Sequence, residues 1–269
     1  MARIVIFDSG VGGLTIYKEI QHHLGMDAVN HSLIFVSDNA AYPYGTKNDD
    51  DLLNRVSLIA QNIDETYAPD ILVVACNTAS THALASLRQQ LECELVGVVP
   101  AIKPAAKLSK TKYIGLLATP ATLKRAYTAK LIKDFASNCQ LIQLGSSELV
   151  DMAEQSLSGE GVDKQLLARV LEPFLAVPEL DVMVLACTHF PLLKTEIDEF
   201  FISNNRVISL LDSGQAIARR VVSLLASIQQ KGDSHVSIAS FTSPLANGSQ
   251  LGEYLKRIGI VELQTLKLS

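Results

Sequence analysis

The sequence lacks any stretch long enough to span a membrane. Its longest apolar runs, such as Ile71-Leu72-Val73-Val74-Ala75-Cys76, fall far short of the ~20 residues a spanning helix needs. The opening Met1-Ala2-Arg3-Ile4-Val5-Ile6-Phe7-Asp8 is too short an apolar run for a secretory leader and ends in a carboxylate. There is no basic surplus: 23 Lys and Arg stand against 28 Asp and Glu, a net charge of −5. That argues against a general nucleic-acid binder, which carries a basic footprint. No low-complexity segment or long charged run appears. None of the four cysteines forms a C-x-x-C pair, so zinc ribbons and thioredoxin-like sites lack support. These absences predict a soluble, cytoplasmic protein without disulfides.

What is present is apolar and long. Hydrophobic residues make up 48% of 269, and charged residues 19%. A large core can be buried, and the length exceeds the usual single domain of ~100–150 residues. Short β-branched runs alternate with amphipathic stretches. Strands are expected at 3–7, 32–37, 71–75, 95–99, 113–118, 140–144, 182–186, 207–211, 236–242 and 261–266. They read as apolar throughout, as strands buried on both faces should. Leu52, Leu53, Val56, Ile59, Ala60, Ile63 and Tyr67 recur at helical spacing, as do Ile217, Ala218, Val221, Val222, Leu224 and Leu225. Strand–helix alternation predicts parallel sheets with right-handed crossovers.

A faint internal repeat refines this. Phe7-Asp8-Ser9-Gly10 is echoed by Leu211-Asp212-Ser213-Gly214, and Val73-Val74-Ala75-Cys76-Asn77-Thr78 by Val184-Leu185-Ala186-Cys187-Thr188-His189. Two similar α/β domains facing each other would explain the echo; chance likeness between short strand ends is the competing account. Weak linker signals stand at Val99-Pro100, Lys103-Pro104 and Asn204-Asn205.

Ligands of open α/β sheets sit beyond the carboxyl ends of the strands. Five expected strand ends carry polar or reactive residues: Asp8-Ser9-Gly10, Asp38 through Gly45, Cys76-Asn77-Thr78, Thr119 through Thr122, and Cys187-Thr188-His189. Helix capping accounts for Ser9, Thr78 and Thr122 by itself. It does not account for two cysteines at matching strand ends. The cluster Gly10-Val11-Gly12-Gly13 fails the G-x-G-x-x-G dinucleotide pattern at Thr15 and reads as a tight turn into a helix.

A thiol, with an ordinary pKa of ~8.5, is a useful base only when its surroundings tune it. If the domains face each other, Cys76 and Cys187 could flank one substrate carbon. One thiolate would take a proton from one face while the other thiol delivers a proton to the opposite face, inverting a stereocentre. Cys93 and Cys139 lack that context. His189 could order or protonate Cys187. Asp8, a carboxylate beside a thiol, would have to accept a proton or act by hydrogen bonding. Glu154 reads, from its own surroundings, as a solvated helix residue. No Lys stands at these strand ends as a Schiff-base residue, so pyridoxal phosphate is not called for.

The chain resembles the glutamate racemases of the aspartate/glutamate racemase superfamily. The resemblance is carried by Phe-Asp-Ser-Gly-Val-Gly-Gly-Leu at 7–14, Asp-Asn-Ala-Ala-Tyr-Pro-Tyr-Gly at 38–45, Ala-Cys-Asn-Thr-Ala-Ser at 75–80, Gly-Val-Val-Pro-Ala-Ile-Lys-Pro-Ala at 97–105, Cys-Thr-His-Phe-Pro-Leu-Leu at 187–193 and Asp-Ser-Gly at 212–214. Residues from about 226 onward add little to it. It implies cofactor-independent, metal-free interconversion of L- and D-glutamate, supplying D-glutamate for bacterial peptidoglycan. It implies Cys76 as the base toward D-glutamate, supported by Asp8, and Cys187 as the base toward L-glutamate, supported by His189 with Glu154. Asp8, Ser9, Tyr44, Gly45, Asn77, Thr78, Thr188 and His189 match the family's substrate-binding positions. Thr119 and Thr122 resemble its Thr-x-x-Thr element, from which Pro120-Ala121 departs. The implied fold is two pseudo-symmetric α/β domains with mainly parallel sheets facing each other across the active site. Residues 1–97 and 207–269 would form the first, and 98–206 the second. The partners expected are a small-molecule substrate and a second copy in a homodimer, with neither nucleic acid nor membrane. The competing readings are a racemase or isomerase acting on aspartate or a related acid, a two-lobed binding protein, and a thiol redox sensor.

Overall fold

The structure, a computed structural model, describes residues 1–228, 236–246 and 248–269. Positions 229–235 and 247, within the expected returning segment 207–269, lie outside the described residues. The chain forms two compact units, Met1–Val98 with Gly214–Ser269, and Val99–Ser213.

The first unit opens with β1 (Ala2–Asp8), α1 (Leu14–Leu24), β2 (His31–Ser37), α2 (Asp49–Tyr67), β3 (Ile71–Val74), α3 (Asn77–Gln90) and β4 (Glu94–Gly97). The second contains α4 (Ile102–Leu108), β5 (Tyr113–Ala118), α5 (Pro120–Lys124), α6 (Ala126–Phe135), β6 (Gln140–Gly145), α7 (Glu148–Leu157), α8 (Lys164–Leu175), β7 (Val182–Ala186), α9 (Lys194–Ser203) and β8 (Ser209–Leu211). The first unit resumes with α10 (Gly214–Leu225), β9 (Ser237–Phe241), α11 (Gln250–Arg257) and β10 (Glu262–Thr265).

Each unit has its own parallel sheet. The strand orders are β10-β9-β2-β1-β3-β4 and β6-β5-β7-β8. In the first, β1 is interior, pairing Asp8 with Ser37 on one side and Phe7 with Val74 on the other. In the second, β5 and β7 are interior and pair Ala118 with Ala186. Every strand expected from the sequence is present, with each end within two residues of its expected place. The second unit runs on past residue 206, because β8 pairs with β7. Pro104 lies inside α4 rather than in a linker.

The expectation that every strand is buried on both faces is corrected at the sheet edges. β1, β2, β3 and β7 are buried almost throughout, but β10 is exposed along its whole length. The edge strands β4, β6 and β8 are only partly buried. An edge strand has a neighbour on one side only, so helices need not cover it fully.

Alternation along β1 sends Val5 and Phe7 into a cluster with Leu52, Val56, Ile59, Ala60 and Ile63 of α2 and Ala79, Ala83 and Leu87 of α3. Fully burying each large aliphatic side chain contributes about 1.5–3 kcal/mol. Helix propensities differ by less than about 1 kcal/mol per ordinary residue. Packing, rather than propensity, therefore defines α2. On α10, Ile217, Ala218, Val221 and Leu224 are buried as their spacing predicts, whereas Val222 is exposed, one step off the stripe. In the second unit, Ile114, Leu116, Ala118, Val182, Val184 and Ala186 pack against Ile102, Ala105 and Ala106 of α4.

Candidate active site

The carboxyl ends of the interior strands of the first sheet gather one group of residues. β1 delivers Asp8, and β3 delivers Cys76 two residues beyond its end, tied to β1 by the Ala75 amide donating to the Phe7 carbonyl at 2.7 Å. The Asp8 carboxylate accepts from the backbone amides of Ser9, at 2.7 Å, and of Gly13. Gly13 is required by proximity: a β-carbon there would lie 2.8 Å from the Asp8 β-carbon. The Ser9 hydroxyl lies 3.4 Å from Asp8 Oδ1 and 3.6 Å from Cys76 Sγ, so it bridges carboxylate and thiol.

Cys76 is the N-cap of α3, and its side chain makes no capping bond there. Negative charge is stabilised at that end of a helix, where the amides are unpaired and the macrodipole is positive. Asn77 and Thr78, the first two residues of α3, are both buried. Asn77 Nδ2 is buried without a hydrogen-bond partner. A buried, unsatisfied amide donor costs about 1–3 kcal/mol, so it points to a ligand acceptor.

Tyr44 and Gly45 begin a single 3₁₀ turn, with Tyr44 only 1% exposed. The Tyr44 ring meets Phe7 edge-on at 6.3 Å and shares its buried cluster with Cys76. Its hydroxyl donates to Asp38 Oδ2 at 2.6 Å. Burial first, then the Asp38 charge, push that hydroxyl well above its ordinary pKa of 10.

The second sheet gathers another group. Cys187 follows β7 directly, and Thr119 follows β5; each lies one residue past the paired Ala186 and Ala118. Cys187 Sγ lies 3.7 Å from His189 Nδ1, and His189 Nε2 lies 2.7 Å from Glu154 Oε1 on α7. Burial alone would push the His189 imidazole down. Hydrogen bonds to Cys187 and Glu154, reinforced by their charges, outweigh burial and hold it well above 6.5. Thr188 is buried beside them. Thr119 caps α5, accepting from the Thr122 amide at 3.2 Å and donating to the Thr122 hydroxyl at 2.9 Å. Pro120 occupies the first turn of α5, where its fixed φ suits a helix start and no amide is missed.

The structure thus brings Asp8, Ser9 and Cys76 together with the start of α3, and Cys187 with His189 and Glu154. The reading of Glu154 as a solvated residue is corrected: its side chain is three-quarters buried and bonded to His189. Sequence reasoning missed Arg55 and Thr242 altogether. Arg55 forms a two-point bond to Asp38, Nε at 2.8 Å and Nη2 at 2.6 Å, and the Thr242 hydroxyl donates to the same carboxylate at 2.7 Å. Charge complementarity to Asp38 was the signal for Arg55; nothing local marked Thr242. Among the described residues, no group of three or more His, Cys, Asp or Glu side chains could hold a metal ion, and no helix is long and apolar enough to cross a membrane.

The pattern of the Asp/Glu/hydantoin racemase family matches residues 4–221. A glutamate racemase of Escherichia fergusonii is 44% identical over 270 aligned positions, covering 99% of this chain and 92% of that one. The crystal structure of Escherichia coli glutamate racemase, in complex with L-glutamate and the activator UDP-MurNAc-Ala, superposes with a TM-score of 0.90 at 43% identity, over 100% of this chain and 99% of that one. Glutamate racemase from Aquifex pyrophilus superposes with a TM-score of 0.73 at 30% identity, covering 99% of each chain. The chain therefore belongs to the Asp/Glu/hydantoin racemase family and is an isomerase.

Proposed function

We propose that the protein is a cofactor-independent glutamate racemase that uses two cysteines, Cys76 and Cys187, as its acid and base. The observation that carries this reading is the matched placement of two buried thiols. Each follows an interior strand of its own sheet, and each stands beside its own polar partners. The near full-length likeness to glutamate racemases, one of them holding L-glutamate, supports the substrate.

Racemisation starts with one sulfur as thiolate and the other as thiol. The thiolate takes the α-proton from one face of glutamate, and the thiol delivers its proton to the opposite face. The product is the other enantiomer, and the two sulfurs have exchanged protonation states. Cys76 serves as the base toward D-glutamate, with Asp8 acting through the Ser9 hydroxyl. Cys187 serves as the base toward L-glutamate, with His189 and Glu154 as its proton partners. Ser9, Tyr44, Gly45, Asn77, Thr78, Thr119, Thr122, Thr188 and His189 line the substrate, with backbone amides and the Asn77 side-chain amide among the donors to its carboxylates. Fixed donors of this kind stabilise charge that builds on the α-carboxylate as the proton leaves. The product would feed D-glutamate into peptidoglycan, and the working form would be a cytoplasmic homodimer.

The test is incubation with L-glutamate in deuterated buffer without pyridoxal phosphate or metal, followed by chiral separation and mass analysis. Deuterated D-glutamate is expected, and should be lost in Cys76→Ala and in Cys187→Ala. Exchange with aspartate but not glutamate would move the substrate within the family. No exchange with either acid would remove the two-thiol reading.

A further inference from the structure

Asp38 is a buried carboxylate at the end of β2, and its side chain is fully shielded from solvent. Four donor atoms reach it: two from the Arg55 fork, one from Tyr44 and one from Thr242. A structural ion pair tying α2 to the sheet would need only the first two. The Tyr44 hydroxyl is the donor that leads elsewhere, because the Tyr44 ring packs on Phe7 and lies in the same cluster as Cys76. The Cys76 charge is among the influences felt by the Tyr44 hydroxyl.

We infer that Arg55 is a positioning residue for the reaction, acting through Asp38 to hold Tyr44 and the adjoining Gly45 backbone in place for substrate. The assignment rests on the racemase reading above and concerns how its substrate loop is held. A bidentate guanidinium fixes the plane of a carboxylate as well as its charge, which the point charge of a lysine cannot do. With that plane fixed, one Asp38 oxygen stays aimed at the Tyr44 hydroxyl, 2.6 Å away. Without Arg55, Asp38 would be a buried carboxylate without its cation, which is strongly unfavourable. It would take up a proton or turn toward water, and either change weakens or redirects the bond from the Tyr44 hydroxyl. The loop end that begins with Tyr44 would then lose its anchor, while the sulfur of Cys76 stays where α3 and Ser9 hold it.

Steady-state kinetics of the full chain with L-glutamate test this, using Arg55→Ala, Arg55→Lys, Tyr44→Phe and the Arg55→Ala/Tyr44→Phe double variant. Circular dichroism melts give the folded fraction of each. Loss of folded protein lowers apparent kcat at constant KM, whereas a displaced substrate loop raises KM. Arg55→Ala is expected to raise KM about tenfold with kcat within about twofold, and Arg55→Lys to fall between it and wild type. The double variant should be little worse than the more damaging single one, since both act on one hydroxyl. If Arg55→Ala does not fold, Arg55→Lys decides alone, because it keeps the charge and loses only the fork. Unchanged KM in the folded Arg55 variants, or fully additive effects in the double variant, would overturn the assignment while leaving an active racemase. A wild-type chain that exchanges no α-proton of glutamate would overturn the racemase reading and this assignment with it.

Discussion

His189 Nε2 lies 2.7 Å from Glu154 Oε1, joining the loop after β7 to α7 across 35 positions of sequence. The other ring nitrogen faces the Cys187 sulfur at 3.7 Å. The imidazole therefore stands between a carboxylate and a thiol, and both favour its charged form.

The charged form has a consequence for stability. The folded-state pKa of His189 is raised above its ordinary 6.5, so the protonated ring stabilises the fold. That contribution is fully present below about pH 6.5 and is lost as pH rises through the folded-state value. The stability difference between wild type and His189→Asn, from denaturant melts at a series of pH values, should be flat at low pH and shrink as pH rises above neutral. Glu154→Gln should bring the shrinkage to lower pH. A difference that does not change with pH would show that His189 is not held as imidazolium.

His189→Asn should also slow turnover, by about 10²–10⁴ if the ring serves the proton transfer at Cys187. The two enantiomers have equal free energy, so kcat/KM must fall by the same factor in both directions. Measured rates from L- and D-glutamate provide the check, and a fall of less than twofold would limit His189 to a packing role.

Asn77 offers a test that separates stability from binding. Its buried Nδ2 has no partner. Asn77→Ala removes that donor and places a better helix former at the first residue of α3. The melting free energy should stay within about 1 kcal/mol of wild type. KM for glutamate should rise about tenfold, the loss of one good hydrogen bond to a charged group. A large loss of stability with unchanged KM would make Asn77 a structural residue.

Gly13→Ala is expected to destabilise the first unit by about 1–3 kcal/mol, the usual cost of overpacking. The added carbon would crowd the Asp8 side chain and lie 3.1 Å from the Phe35 ring. A thermal melt measures it, and an unchanged melting temperature would mean that the Gly13 turn can open without cost.

Thr119→Val keeps the shape of the residue and loses the N-cap of α5. A cost of about 1 kcal/mol is expected from the lost acceptor for the Thr122 amide. If kcat/KM falls beyond what the loss of folded protein explains, the hydroxyl also meets substrate.

The strands and their ends were legible because burial on both faces leaves a pattern that a single sequence can show. Val73 through Cys76 and Val184 through Cys187 are continuous apolar runs broken by a thiol, and the register of each sheet places those breaks at its carboxyl edge. The edge strands were legible as strands but not as edges, since Val261 and Leu263 are as apolar as core residues yet lie exposed. Glu154 was misread because its partner is 35 positions away and helix spacing says nothing about a contact of that range. Arg55 and Thr242 were hidden for the same reason. Both meet Asp38 only after β2 is paired with β9 and α2 is laid across the sheet. The segment beyond residue 226, which added little to the resemblance, supplies two strands of the first sheet and one of the four bonds to Asp38.

The Ser213 hydroxyl donates to the Val99 carbonyl at 2.5 Å, and these residues are the last and first of the second unit. A segment whose two ends adjoin can enter or leave a host chain without stretching it. The second unit therefore has the form of a cassette, interrupting the first between Val98 and Gly214 at a gap that a short turn could close. Made as a chain of its own, the second unit could be circularly permuted by joining Val99 to Ser213 with minimal new backbone and opening another of its loops.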